Sequence, residues 1–117
     1  MENQDGVETN KRFCIENDLE YEIIKKGGGD CVCEGNKVFI KYVGYLASGK
    51  RFDSGHLNVN VGTGEVIRGF DMGLVSMRVG ETRKIYIPSA YGYGKRRMGP
   101  IPPNSDLVFE VTLIRFK

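Results

Sequence analysis

The chain has 117 residues, 40% of them hydrophobic and 27% charged, with a net charge of +2. These values fit one ordinary globular domain with a modest core. They argue against a membrane-spanning helix, since no apolar stretch is long enough, and against the strong basic surface of a nucleic-acid binder.

Residues Met1 to Lys11 are polar and mixed in charge, without the apolar core of a secretory signal. Residues 1–18 are expected to form a flexible arm, and residues 19–117 the folded domain. The cysteines are Cys14, Cys31 and Cys33. An odd count without a signal suits reduced thiols in a cytoplasm or nucleus. Cys31-Val32-Cys33 has no second cysteine pair to complete a metal site, and His56 is the single histidine, so no metal is expected.

The first strand is expected over Leu19–Ile24, ended by Gly27-Gly28-Gly29. Val38–Leu46 is a second, rich in β-branched and aromatic residues. Ala47-Ser48-Gly49-Lys50 turns the chain, and Arg51-Phe52-Asp53 returns as a hairpin. Gly55 is expected to break this strand, with Leu57, Val59 and Val61 alternating as a separate short one. One helix is expected over Glu65–Met77. Val66, Ile67, Phe70, Leu74 and Met77 make its apolar stripe, and Thr63 or Gly64 its cap. Gly69 and Gly73 weaken such a helix, which implies close packing against them. In the next strand, over Glu81–Ile87, Arg83, Ile85 and Ile87 share one face. Residues 88–105 form a long connection of the kind that carries function. Asp106–Phe116 is the last strand, with Leu107, Phe109, Val111 and Leu113 on one face. The sum is an α+β domain, an antiparallel sheet with one helix on one face.

Six segments carry a family resemblance. They are 41–46 (KYVGYL), 49–54 (GKRFDS), 64–70 (GEVIRGF), 90–94 (AYGYG), and 101–105 with 107–111 (IPPNS, LVFEV). In this order and at these spacings the chain resembles a single-domain FKBP, the tacrolimus-binding class of peptidyl-prolyl isomerases. The resemblance covers Leu19 to Lys117. It implies a strongly twisted antiparallel half-barrel wrapped over one short helix, with an apolar pocket between them. Carried over, the lining is Tyr42, Phe52, Asp53, Val66, Ile67, Phe70, Tyr93, Ile101 and Phe109, with Tyr91 as support. Most of these, taken singly, would be ordinary core or turn residues.

The resemblance implies catalysis by Tyr42, Asp53, Tyr93 and Phe109, with Phe52, Val66, Ile67, Phe70 and Ile101 binding substrate or inhibitor. It implies no cofactor. The expected partners are proline-containing peptides and proteins and the macrolides tacrolimus and rapamycin, acting on a cytoplasmic or nuclear monomer. Asp53 either orients Tyr42 or interacts with the twisting amide. Three departures stand out. Phe70 occupies the usual tryptophan position, the segment after Asp53 is shorter, and the loop Lys95–Pro100 is one residue short and carries three positive charges. One alternative is a catalytically weak binding module on the same fold, which peptide turnover separates from an enzyme. A nucleic-acid module built on Lys95-Arg96-Arg97 is the other. Three charges neutralise about three phosphates, too few for tight binding at physiological salt.

Overall fold

The computed structural model describes residues 11–117. Its strands are β1 (Arg12–Glu16), β2 (Leu19–Lys25), β3 (Gly28–Cys31), β4 (Lys37–Leu46), β5 (Arg51–Asn60), β6 (Arg78–Val79), β7 (Thr82–Ile87) and β8 (Leu107–Phe116). One helix, α1 (Arg68–Leu74), lies between β5 and β6, and a single 3-10 turn at Ser89–Tyr91 follows β7. Six strands form an antiparallel sheet in the order β1-β2-β7-β8-β4-β5, and β3 pairs with β6 in a small second sheet. The main sheet is open at both edges, β1 and β5.

Period-two alternation explains the buried face. On β7, Arg83, Ile85 and Ile87 are buried, and on β8 Leu107, Phe109, Val111 and Leu113 are. The helix lies on this face. Gly69 and Gly73 allow the contact: a Cβ on Gly69 would stand 2.6 Å from Ile87 Cγ2, and one on Gly73 2.6 Å from Ile85 Cδ1. The helix backbone therefore rests directly on β7, and its glycines trade helix propensity for burial of Ile85 and Ile87. Full burial of such a side chain is worth about 1.5–3 kcal/mol.

Four expectations are corrected. The helix spans seven residues rather than Glu65–Met77. Its N-cap is Ile67, without a side-chain cap; Thr63 Oγ1 donates instead to the Asn60 carbonyl at 2.7 Å. Buried Asp71 reaches back from the first turn, accepting from the Gly62 N–H at 2.7 Å and the Gly64 N–H at 3.2 Å. This carboxylate holds residues 62–67 in turns and delays the helix start. Val75 is extended, so the helix ends at Leu74.

Gly55 does not break a strand. β5 runs through it, with Gly55 opposite Tyr42 in the ladder. The part of the expected arm that is described is ordered: Arg12–Glu16 pairs with β2, and Phe13 stacks on Tyr21 with ring centroids 5.2 Å apart. Residues 1–10 of that arm lie outside the described residues. The β3–β6 pair has no counterpart in the alternation of the sequence. Just past the end of β3 lies buried Val32, whose N–H donates to the Met77 carbonyl and whose carbonyl accepts from the Ser76 N–H. The three thiols are exposed and free.

Arg83 points inward and is 2% exposed. Its Nε donates to Glu81 Oε2 at 2.7 Å. Its Nη1 donates to the carbonyls of Gly73 at 3.2 Å and Val75 at 3.0 Å. A helix leaves its last carbonyls without partners, and here a buried guanidinium supplies them.

Candidate active site

A cavity of about 300 Å³ opens between β4, β5, β8, the segment before α1, and the connection after β7. Tyr42, Phe52, Asp53, Leu57, Glu65, Val66, Ile67, Phe70, Tyr93 and Phe109 line it. Phe70 is a buried lining residue, and Phe109 lies beside it with ring centroids 4.6 Å apart. Phe52 meets Phe109 edge-on at 5.6 Å and 90°, and Tyr42 meets Phe70 at 6.1 Å and 68°. Such tilted and edge-to-face contacts are favourable for aromatic quadrupoles.

Two local features bring these rings together. First, the β4–β5 register pairs Gly44 with Asp53 and then Tyr45 with Arg51, so Phe52 is the extra residue of a bulge. Consecutive strand residues normally face opposite ways. The bulge lets both Phe52 and Asp53 reach the cavity. Second, Gly44 leaves room behind the rings. A Cβ there would lie 2.8 Å from both Phe109 Cε1 and Phe52 Cζ.

The polar groups are few. The Tyr42 hydroxyl donates to Asp53 Oδ2 at 2.9 Å, and Asp53 Oδ1 accepts from the Ser54 N–H at 2.9 Å. Burial, and then the hydrogen bond and charge of Asp53, hold the Tyr42 phenol above its ordinary pKa. The phenol therefore stays protonated through the neutral range. Glu65 accepts from the Asn60 N–H at 2.9 Å and Asn60 Nδ2 at 2.7 Å, which lowers its pKa. Among the described residues, nothing accepts from the Ile67 N–H or the Tyr93 hydroxyl. Among the described residues no cation lines the cavity, and His56 stacks outside it on Phe39 at 5.7 Å.

Against this geometry the relatives are informative. Residues 29–114 match the sequence profile of the FKBP-type peptidyl-prolyl cis-trans isomerases. FK506-binding protein 1 of Dictyostelium discoideum is 45% identical over 105 residues, covering 85% of this chain and 98% of its own length. The chain belongs to the FKBP family. FK506-binding protein 3 of Yarrowia lipolytica is 42% identical over 107 residues, but this FKBP spans only 26% of it. The crystal structure of AtFKBP13 superimposes with a TM-score of 0.79 at 33% identity, covering 85% of this chain and 93% of that one.

Of the nine lining residues expected from the resemblance, eight stand around the cavity. Ile101 does not. It is 3% exposed and packs into the core, held there because Met98 and Ile101 exchange backbone hydrogen bonds at 3.0 and 2.9 Å. Tyr91 is not a lining residue either. Its hydroxyl donates to Glu16 Oε2 at 2.6 Å and accepts from Asn17 Nδ2 at 2.7 Å, tying the connection after β7 to the first hairpin. Leu57 and Glu65 complete the lining. Leu57 continues the strand beyond Gly55, and Glu65 is brought in by its bonds to Asn60.

Proposed function

We propose that this FKBP isomerises X-Pro bonds in the aromatic cavity, and that tacrolimus and rapamycin occupy the same place. The supporting observation is the enclosure itself: five aromatic rings, three aliphatic side chains and one phenol–carboxylate pair. The X-Pro amide interconverts over tens to hundreds of seconds because rotation breaks its resonance. In the twisted form the nitrogen is pyramidal and the carbonyl has lost much of its charge separation. Taking that form out of water costs less than taking out the planar amide. An apolar cavity binds the twisted form better, which is catalysis by differential binding. No covalent bond forms or breaks, so no step calls on a nucleophile, metal or cofactor.

In this reading the proline ring lies on Phe70, between Val66, Ile67, Phe52 and Phe109. The Ile67 N–H and Tyr93 hydroxyl donate to substrate carbonyls, and fixing the peptide this way removes entropy from the step. Tyr42 and Phe109 turn ring edges to the rotating carbonyl. Asp53 acts through Tyr42, whose hydroxyl it holds.

A coupled isomerisation assay on X-Pro peptides, with and without tacrolimus, tests this. The expected result is turnover that tacrolimus inhibits, with a rate flat from about pH 6 to 8, because no histidine lines the cavity and the Tyr42 phenol is held above its ordinary value. The raised phenol of Tyr42 contributes stability below about pH 10 and loses it as pH climbs through its raised value. Activity should therefore fall only in strong alkali. A rate that changes steeply near neutrality overturns the mechanism. Tacrolimus binding without turnover would mark a binding module instead.

The drug tests the floor separately. Phe70→Trp adds roughly 30–40 Å² of apolar contact and an indole N–H, about 1 kcal/mol at ~25 cal/mol per Å². Tacrolimus should bind about fivefold tighter, measured by calorimetry. Unchanged or weaker binding means Phe70 is not the floor.

A further inference from the structure

We infer that this isomerase selects acidic residues beside the proline, and that Lys95, Arg96 and Arg97 make the selection; the inference rests on the isomerase reading above. All three side chains are exposed, and they begin two residues after Tyr93, which lines the cavity. Among the described residues no carboxylate pairs with them. They do not ride on a loose loop. The Gly94 N–H donates to the Ser89 carbonyl at 2.9 Å, and the Gly94 carbonyl accepts from the Asn104 N–H at 2.7 Å. The Arg96 N–H donates to the Tyr93 carbonyl at 3.1 Å. The Met98–Ile101 bridge closes the far side, and buried Ile101 anchors it. The backbone that carries the three cations is thus braced, starting two residues beyond a cavity-lining side chain.

The cavity has its own charges, Asp53 and Glu65, and these would repel an acidic peptide. Both are already engaged. Asp53 holds the Tyr42 hydroxyl and the Ser54 N–H, and Glu65 holds two donors of Asn60. The three cations outnumber them and have no such partners among the described residues. A peptide seated by its proline leaves its flanking side chains over the rim, within the ~8 Å over which charges act at physiological salt. Opposite charges there raise the association rate and lower the cost of holding the peptide. Single-stranded nucleic acid is the poorer fit, because residues 95–100 contain no aromatic ring on which a base could stack.

The test compares kcat/KM for three X-Pro peptides that differ only in their flanking residues: Glu, Ala or Lys. At low salt the Glu peptide should exceed the Lys peptide about fivefold, and in ~0.5 M salt the two should converge. In the K95A/R96A/R97A variant the ratio should collapse to about one at low salt, with turnover of the Ala peptide unchanged. The charge-preserving K95R/R96K/R97K variant should keep it. A wild-type ratio near one at low salt overturns the proposal, as does a ratio that survives in the alanine variant. If the alanine variant loses binding to a single-stranded oligonucleotide but keeps its peptide preference, the loop serves nucleic acid and the proposal fails. Absence of turnover on the Ala peptide by the unaltered protein would instead sink the isomerase reading, so the two failures are distinct.

Discussion

Arg83→Met should lower the free energy of unfolding by about 3–5 kcal/mol, the usual cost of breaking one partner out of a buried ion pair. Arg83 and Glu81 are 2% and 3% exposed and meet at 2.7 Å. Methionine fills much of the space but leaves the Glu81 carboxylate with only the Arg78 N–H, at 3.0 Å. It also strips the donor from the Gly73 and Val75 carbonyls at the end of α1. The guanidinium further lies 3.9 Å from the centroid of the Tyr21 ring, a contact the thioether replaces in part. Urea unfolding measures the loss, with an unchanged slope showing that the folded state remains compact. Adding Glu81→Gln should recover part of the stability, because the orphaned charge is gone. A loss below about 1 kcal/mol, or a double variant no better than the single one, would mean that the pair is not what secures the helix end.

The second large effect concerns activity. Gly44→Ala should cut kcat/KM by about tenfold to a hundredfold, the penalty seen when reacting groups are displaced by as little as 1 Å. The new methyl would arrive 2.8 Å from Phe109 and 2.8 Å from Phe52. Both rings would have to move, and both line the cavity. The Phe52–Phe109 edge contact and the Phe70–Phe109 contact would open together. The sheet itself should survive, since overpacking typically costs about 1–3 kcal/mol. Peptide turnover and tacrolimus affinity should fall in parallel while circular dichroism is retained. Full activity in a folded Gly44→Ala protein would show that the rings yield without consequence.

Much of this architecture can be read from residue order. The alternation in β7 and β8 predicts their buried faces, and eight cavity residues follow from the FKBP resemblance. What escapes sequence reading has physical causes. The periodicity of Val66, Ile67, Phe70 and Leu74 suits a longer helix, but Asp71 binds backward to Gly62 and Gly64 and shortens it. Gly55 looks like a breaker because glycine weakens strands, yet pairing on the β4 side carries it through. Gly44 is silent in sequence because its function is the space it leaves. Alternation puts Arg83 on the apolar face of β7, but its buried partners, Glu81 and the end of α1, emerge only in the fold. Ile101 lies outside the cavity lining because a backbone bridge to Met98, which no motif announces, holds it in the core.

The strand order has a consequence for how the molecule is made. β8 comes last in sequence among the strands, yet it lies inside the sheet, between β7 and β4. Until Leu107–Phe116 has been synthesised, β1, β2 and β7 form one fragment and β4 with β5 another, with no ladder joining them. Closing that gap brings Val38 beside Phe116, a loop of high entropic cost. The same strand delivers Phe109, so assembly of the sheet and completion of the cavity are one event. A nascent chain halted before β8 adds the unpaired edges of β7 and β4 to those of β1 and β5 and exposes much of the core, which makes it prone to aggregate rather than a partly working enzyme.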